Sequence, residues 1–117
     1  MPELAEVEVA RTRVARWWAG RAAEDVRVHD PEVCEGAAPE DLEALLTQTV
    51  EAVRRRGKYL IVDFEDEDTH AVFHFRMTGK ITRHDQPARR FTRLSWLVPQ
   101  VGWLVFDDAR RLGGLVL

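Results

Sequence analysis

The sequence predicts an α+β domain built around an antiparallel β-sandwich of two short sheets, with an N-terminal helix and a second short helix. Apolar residues recur at helical spacing only in the first part of the chain, and from Thr49 onward their period changes to two. Turns rich in Gly, Pro or acidic residues separate the alternating runs. With 117 residues and 45% hydrophobic content, the chain can bury one core without disulfides or metals, so we expect a single domain over residues 1–117.

Two segments carry helical signals. The first helix is predicted over residues 3–19, because Pro2 suits a first helical position, acidic residues follow in the first turn, and Gly20 provides a stop. The second helix begins at Pro39. The apolar stripes are Leu4, Val7, Val14 and Trp18 in the first helix and Leu42, Leu45 and Leu46 in the second.

The strands follow from alternation. Val26 and Val28 alternate with charged residues and indicate a short strand, and a loop is predicted over 30–38. Further strands are predicted over residues 49–56, 58–64, 70–76, 79–84, 92–98 and 103–107. The acidic segment 65–69 is typical of a hairpin turn, and the apolar, Gly-rich stretch 112–117 is more typical of an interrupted chain than of a natural end.

Charge is distributed unevenly along the chain. The net charge of −3 argues mildly against a nucleic-acid partner, since such proteins usually carry a basic surface. Residues 1–52, however, hold 5 Lys and Arg against 12 Asp and Glu, whereas residues 53–117 hold 12 against 8. Any phosphate-binding face must therefore come mainly from the second half, although an ordinary solvated surface fits the composition equally well.

Other compositional features set the expected class and compartment. The lone Cys34 excludes an intramolecular disulfide and a zinc site built from two or four cysteines of this chain, which suits a reducing compartment. No run approaches the roughly 18 apolar residues of a membrane span. We therefore expect no membrane partner and a soluble protein of the cytoplasm.

Pro2 is the first candidate for chemistry. Removal of Met1 would leave a secondary amine at the terminus, and an α-amino group has a pKa of about 7.7–8.0. Such an amine can attack an aldehydic sugar carbon and form an iminium, with Glu3 beside it as an acid or charge stabiliser. The alternative is structural, because Pro followed by Glu is also a common helix start.

Four motifs weigh against that alternative. Residues 2–8 (PELAEVE) resemble the P-E-L-P-E-V-E start of formamidopyrimidine-DNA glycosylases, and residues 55–60 (RRGKYL) resemble their R-R-x-K-Y-L strand. Residues 74–79 (HFRMTG) are similar to H-L-G-M-S-G, and residues 108–113 (DARRLG) are similar to D-P-R-R-F-G. The motifs occur in the family's order and spacing and cover nearly the whole chain. The chain therefore resembles the N-terminal domain that these glycosylases share with endonuclease VIII.

The resemblance implies base-excision repair of damaged double-stranded DNA. It implies hydrolysis of the N-glycosidic bond of oxidised purines, such as formamidopyrimidine or 8-oxoguanine, and then β,δ-elimination at the abasic site through a Pro2 iminium. Glu3 would assist opening of the sugar ring, and Glu6 matches a further acid of the site. By the same resemblance, phosphates would be contacted by Lys58, His74 and Arg111, and the space left by the extruded nucleotide would be filled by Met77, Arg110 and Leu112.

Each of these residues also has a structural interpretation. Met77 could belong to the sandwich core, and Lys58 could be a sheet-edge charge that blocks aggregation. Arg110 and Arg111 could pair with the preceding Asp107 and Asp108 as an exposed network. A His in an apolar strand, as at position 74, is more often a satisfied core histidine than a ligand.

Departures from the family pattern leave a second function open. Ala5 and Ala109 replace prolines, Arg76 stands where glycine is usual, and Leu112 replaces an aromatic residue. The resemblance implies helix-two-turn-helix and zinc-finger domains that this chain does not encode, with no cofactor in the chain itself. With Met1 retained the Pro2 nitrogen is blocked, so we expect the isolated chain to be weak or inactive.

The alternative is a non-catalytic module that binds DNA or another protein. Four tryptophans would offer apolar area for self-association if they group on the surface: Trp17, Trp18, Trp96 and Trp103.

Overall fold

The computed structural model describes residues 4–66, 68–110 and 113–117, and within them two α-helices and nine strands form one α+β unit. The helices are α1 (Leu4–Trp18) and α2 (Pro39–Leu46). The strands are β1 (Asp25–Val28), β2 (Cys34–Glu35), β3 (Val50–Arg56), β4 (Tyr59–Phe64), β5 (His70–His74), β6 (Gly79–His84), β7 (Thr92–Val98), β8 (Gly102–Asp108) and β9 (Gly114–Val116). Neither described helix is long and apolar enough to cross a membrane.

The strands form two sheets, which confirms the predicted fold class. One sheet has five strands in the order β2-β9-β5-β4-β3, and the other has four in the order β1-β7-β8-β6. All neighbours are antiparallel except β2 and β9, which run parallel. The inner faces of both sheets contribute to one apolar core, as expected when each sheet has one apolar face to bury.

Aromatic side chains fill the space between the sheets. The Trp18 ring at the end of α1 lies 5.1 Å from the Trp96 ring, centroid to centroid, and Phe73 lies 6.0 Å from Trp96 and 5.9 Å from Phe106. Such pairs each contribute about 0.5–1.5 kcal/mol beyond the area they bury. Helix α1 packs chiefly on β3 and closes this side of the core.

The four tryptophans do not group on the surface, so the self-association surface considered for them does not form. Trp18 and Trp96 are fully buried and Trp103 is 9% exposed, because their strand or helix positions face the core or a covering side chain. Trp17 is only partly exposed, beneath the guanidinium of Arg83.

Three short elements were not predicted: a 3-10 turn at Pro31–Val33, β2 and β9. Elements of two or three residues are too short to show a period. In β9, Leu115 is fully buried and pairs with Phe73 of β5, so part of the apolar 112–117 stretch is a strand inside the five-stranded sheet. Strand β5 ends at His74 rather than residue 76, and residues 75–78 turn toward the second sheet.

Strand register brings three of the four motifs to one end of the sandwich. Tyr59 pairs with His74, which pairs with Gly114, and in the other sheet Gly79 pairs with Asp108. The chain passes from one sheet to the other at this end, once between His74 and Gly79 and once between Asp108 and Gly114, and we call it the motif end.

The other end carries the start of β3 and the turn that begins at Glu65, whose backbone N–H donates to the Thr49 carbonyl. We call it the acidic end.

Candidate nucleic-acid interface

The helix N-terminus lies at the motif end. Pro2 and Glu3 lie outside the described residues. Glu6, exposed in the first turn of α1, lines an open cleft of about 420 Å³ whose opposite wall includes Gly79 and Lys80 at the start of β6. The one predicted catalytic acid that the structure describes is therefore next to the strand that follows the 74–79 motif.

An ion pair fixes α1 to the turn that carries Lys58. The Arg55 Nε donates to Glu8 Oε1 at 3.1 Å, and Arg55 Nη1 donates to the Gly57 carbonyl at 3.0 Å. Glu8 also accepts from Arg11 Nη2 at 2.6 Å. Hydrogen bonds from Arg11 and then from Arg55 lower the Glu8 pKa to about 2, so this carboxylate is ionised at neutral pH.

Lys58 lies exposed in the two-residue turn between β3 and β4. The turn is possible because Gly57 adopts a φ of 60°, in the left-handed region. The interpretation of Lys58 as a residue of an edge strand is wrong, since its position is the tip of a hairpin at the motif end. Its contact with a phosphate stays a prediction.

His74 is 8% exposed, more buried than a freely accessible phosphate ligand would be. Its Nδ1 accepts from Arg76 Nε at 3.2 Å, and its Nε2 lies 3.5 Å from Glu35 Oε1 on β2. Both ring nitrogens therefore have partners, as the core-histidine interpretation expects. The phosphate role of His74 stays a prediction.

Met77 and Arg110 form an exposed pair, which we call the wedge pair. Met77 is 59% exposed, so its interpretation as a core residue is wrong. Its Sδ lies 4.0 Å from Arg110 Nη1, although the residues belong to separate crossovers. Within the described parts of the chain, Arg110 makes no ion pair, and its predicted network with Asp107 and Asp108 does not form. Arg111 and Leu112 lie outside the described residues.

The residue before Met77 explains one departure from the family pattern. Arg76 has a φ of 53°, a conformation that glycine adopts freely and that costs other residues about 1 kcal/mol or more. The family's glycine at this position therefore matches the backbone that the turn requires. Here an exposed guanidinium occupies it and donates to His74.

A buried polar network that sequence reasoning missed supports both crossovers. Asp108 is 2% exposed and accepts from the Thr78 hydroxyl and from the Gly113 backbone N–H, the latter at 2.6 Å. Arg93, 5% exposed on β7, lies 3.5 Å from the same carboxylate and donates to the Gly113 carbonyl. The Arg93 Nε also donates to Asp30 Oδ2 at 3.0 Å.

This network connects the residues next to the wedge pair. Thr78 follows Met77, and Asp108 and Gly113 bracket the segment that contains Arg110. Buried charges are stable only when paired and hydrogen-bonded, as these are. The sequence does contain one indication of this network, because Arg93 is a charged residue within an otherwise apolar strand.

The last glycines of two motifs permit close packing here. A Cβ on Gly113 would lie 2.5 Å from the His74 carbonyl oxygen, and one on Gly79 would lie 2.7 Å from that of Phe75. The Gly79 N–H donates to this same Phe75 oxygen at 2.8 Å and closes the turn. Both glycines are therefore required by backbone contact rather than by positive φ.

Exposed basic side chains cluster at the motif end. The exposed basic residues of its turns and adjoining strand are Lys58, Arg76, Lys80, Arg89, Arg90 and Arg110. All belong to the second half of the sequence, the half in which the charge distribution predicted a phosphate-binding face.

The chain matches the family model described as formamidopyrimidine-DNA glycosylase N-terminal domain over residues 1–115. It is 38% identical over 120 residues to the formamidopyrimidine-DNA glycosylase of Mycobacterium avium, covering 100% of this chain and 42% of the relative. It is 37% identical over 124 residues to that of Streptomyces coelicolor, covering 100% and 43%. The chain thus spans about two-fifths of the length of these curated relatives.

Solved structures show the same likeness. A complex between Lactococcus lactis Fpg and DNA containing an abasic site has a TM-score of 0.86 at 28% identity, over 98% of this chain and 42% of that one. MutM in complex with DNA containing carbocyclic 8-oxo-G has a TM-score of 0.86 at 29% identity, over 98% and 43%.

Proposed function

Because the chain belongs to the formamidopyrimidine-DNA glycosylase N-terminal domain family, we propose that it is the catalytic domain of a DNA glycosylase and AP lyase acting on oxidised purines. The observation that carries this proposal is the convergence at one end of the sandwich of the α1 first turn, the Lys58 turn and the exposed wedge pair. The proposed partner is damaged double-stranded DNA; the Fpg and MutM complexes that the chain resembles contain DNA with an abasic site and DNA with carbocyclic 8-oxo-G.

The proposed chemistry uses the terminal amine. After Met1 is removed, the Pro2 nitrogen attacks C1′ of the damaged nucleotide, the bond from C1′ to the base breaks, and the base leaves with a proton. Glu3 supplies a proton to the ring oxygen as the sugar opens, giving an iminium between Pro2 and C1′. Loss of a C2′ proton then expels the 3′ phosphate, and a second elimination expels the 5′ phosphate.

The binding residues have separate tasks. Lys58, His74 and Arg111 hold phosphates near the lesion, and Glu6 acts as a further acid facing the α1 cleft. Met77, Arg110 and Leu112 occupy the space left by the extruded nucleotide, which offsets a stacking cost of a few kcal/mol. The 59% exposure of Met77 and its 4.0 Å contact with Arg110 support this use, because a filler must stand clear of the core.

Borohydride trapping tests the proposal. Borohydride reduces an iminium to a stable amine, so the Met-free protein should become covalently joined to a duplex containing 8-oxoguanine or an abasic site. The matched control retains Met1, differs by one residue and should give no adduct; Pro2→Gly tests whether the secondary amine is required.

The trapping is carried out on residues 2–117 and on the complete natural gene product. Adducts that require removal of Met1 support the proposal. Absence of an adduct from both proteins contradicts it and favours a non-catalytic module that binds DNA or protein.

A further inference from the structure

Arg93 is a buried cation that has no role in the proposed chemistry. It lies on β7 with its side chain 6% exposed, so a DNA molecule at the motif end would meet little of it. Its guanidinium nevertheless contacts residues on both sides of Arg110, because Nη1 donates to the Gly113 carbonyl and lies 3.5 Å from Asp108 Oδ2. A charge is buried at a large cost unless it is paired, so these contacts favour one arrangement of the segment.

The opposite side of the guanidinium is fixed to another part of the sandwich. The Arg93 Nε donates to Asp30 Oδ2 at 3.0 Å, and Asp30 Oδ1 accepts from the Glu32 backbone N–H at 3.0 Å, at the start of the 3-10 turn. The Arg93 carbonyl also accepts from the backbone N–H groups of His29 and Asp30. Because a guanidinium is planar and donates in fixed directions, it holds the segment after β8 at a set position relative to this turn.

Asp108 extends the connection to the second member of the wedge pair. Its carboxylate accepts from the Thr78 hydroxyl and from the Gly113 N–H. Thr78 directly follows Met77 in the chain, and Arg110 comes two residues after Asp108. The buried guanidinium and this carboxylate therefore connect the backbone next to both exposed side chains.

We propose that Arg93 is a positioning residue that fixes Met77 relative to Arg110 and thereby favours extrusion of the damaged nucleotide. The proposal rests on the proposed function, in which the wedge pair fills the space that this nucleotide leaves. Extrusion is least costly when the nucleotide is unpaired. Substitution of Arg93 should therefore slow removal of a paired lesion more than removal of an unpaired one.

The test uses Arg93→Lys and the control Val98→Ala in the natural protein. Lysine keeps the charge, but its single ammonium lacks the fork that reaches Asp30 and Gly113 together. Val98 is fully buried at the other end of β7, so its truncation lowers stability without touching these contacts. Unfolding midpoints show that each variant is folded at the assay temperature.

The measurement is the single-turnover rate of base removal at saturating protein. One duplex has 8-oxoguanine opposite cytosine, and the other has it opposite an abasic-site analogue, where the lesion has no pairing partner. Arg93→Lys should be roughly tenfold slower than the parent on the first duplex and closer to the parent on the second. Val98→Ala should change the two rates by the same factor.

A double variant tests whether Arg93 acts through the wedge pair. If it does, Met77→Ala/Arg93→Lys should be no slower on the paired duplex than the slower of the two single variants. Multiplication of the two single effects would overturn the proposal. So would parent rates in Arg93→Lys, or equal slowing on both duplexes.

A second substitution covers the case in which Arg93→Lys does not fold. Thr78→Val removes the hydroxyl that donates to Asp108 and should give the same difference between the duplexes, whereas Thr78→Ser keeps the hydroxyl and should match the parent. Equal rates for these two variants would overturn the proposal.

Borohydride trapping on a preformed abasic site separates this proposal from the proposed function. A parent that forms the adduct while the variants show no paired-lesion defect would overturn only the role of Arg93. A parent that forms no adduct would overturn both.

Discussion

The two ends of the sandwich differ in the sign of their exposed charge. The motif end presents Lys58, Lys80 and Arg110, whereas the turn at the acidic end presents Glu65, Asp66 and Asp68. The net charge of −3 averages these two surfaces and describes neither. A cationic surface can therefore exist on a protein of negative net charge when folding separates the charges in space.

The most buried ion pair at the motif end also differs from the ion pairs toward the acidic end. At the motif end, Asp108 and Arg93 are buried with side chains 0% and 6% exposed. Toward the acidic end, Asp63 pairs with Arg54 and His70, whose side chains are 52% and 44% exposed. Water screens the second group far more than the first, so equal substitutions should have unequal effects.

The largest expected effect is that of Asp108→Ala. It removes one of the two carboxylates beside the buried Arg93, which keeps Asp30. It also removes the acceptor of the Thr78 hydroxyl and of the Gly113 N–H, so we expect a loss of about 3–5 kcal/mol in the free energy of unfolding. Urea unfolding of the parent and variant measures it. Arg54→Gln, in the exposed pair, should cost at most about 1 kcal/mol. Equal losses from the two variants would remove the distinction between the ends.

A smaller effect is expected from Gly113→Ala. The added methyl would lie 2.5 Å from a backbone oxygen that cannot move away, so overpacking should cost about 3 kcal/mol. Gly57→Ala is the control, because its Cβ meets nothing within 4 Å and only the positive φ opposes it, at about 1 kcal/mol. The difference in urea midpoints tests whether close packing limits this crossover.

Substitution of Met77 in the wedge pair should weaken DNA binding while leaving the free energy of unfolding nearly unchanged. Because Met77 is exposed, Met77→Ala should change the free energy of unfolding by less than about 0.5 kcal/mol. The same variant of the natural protein should bind a lesion-containing duplex on the order of tenfold more weakly, a cost of about 1.4 kcal/mol. Leu117→Ala, also exposed and beside Asp68, is the control, and a loss of DNA affinity equal to that of Met77→Ala would contradict the assignment.

The smallest effect is the acid response of Glu8. Its folded pKa of about 2 lies below the ordinary value of 4.5, so its contribution to stability is complete above about pH 4.5 and is lost as pH falls toward 2. Thermal midpoints of the parent and Glu8→Gln should therefore converge between those values. Asp63, whose pKa is lowered by Arg54 and then by His70, should respond in the same direction at the other end. A gap for Glu8→Gln that persists at pH 2 would contradict the ion-pair explanation.

Periodic segments were predictable, and short or long-range features were not. Helix α1 was predicted over 3–19 and is described as Leu4–Trp18, because its apolar stripe spans four turns. Strands β2 and β9 have two and three residues and carry no measurable alternation. The sequence therefore predicted the two sheets and two helices better than it predicted which strands are neighbours.

The candidate site shows the same division. Local motifs identified Lys58, Met77 and Arg110, each of which lies at the motif end. The local pattern marks Arg93 as a charged residue in an apolar strand, but it cannot identify Asp108 as its partner, because the two residues are distant in sequence. The roles assigned to Pro2 and Glu3 stay predictions, as do those of Arg111 and Leu112.

The two crossovers also have a mechanical consequence. Residues 75–78 connect β5 to β6, and Ala109 and Arg110 follow β8. Asp108 joins these two parts of the chain, because it accepts from the Thr78 hydroxyl and the Gly113 N–H. Met77 and Arg110 therefore lie next to residues that share one buried carboxylate, and we expect the two side chains to keep their relative positions. If the domain binds DNA as proposed, we expect the duplex to bend more than this hydrogen-bonded end of the protein, so that the deformation energy is stored in the DNA.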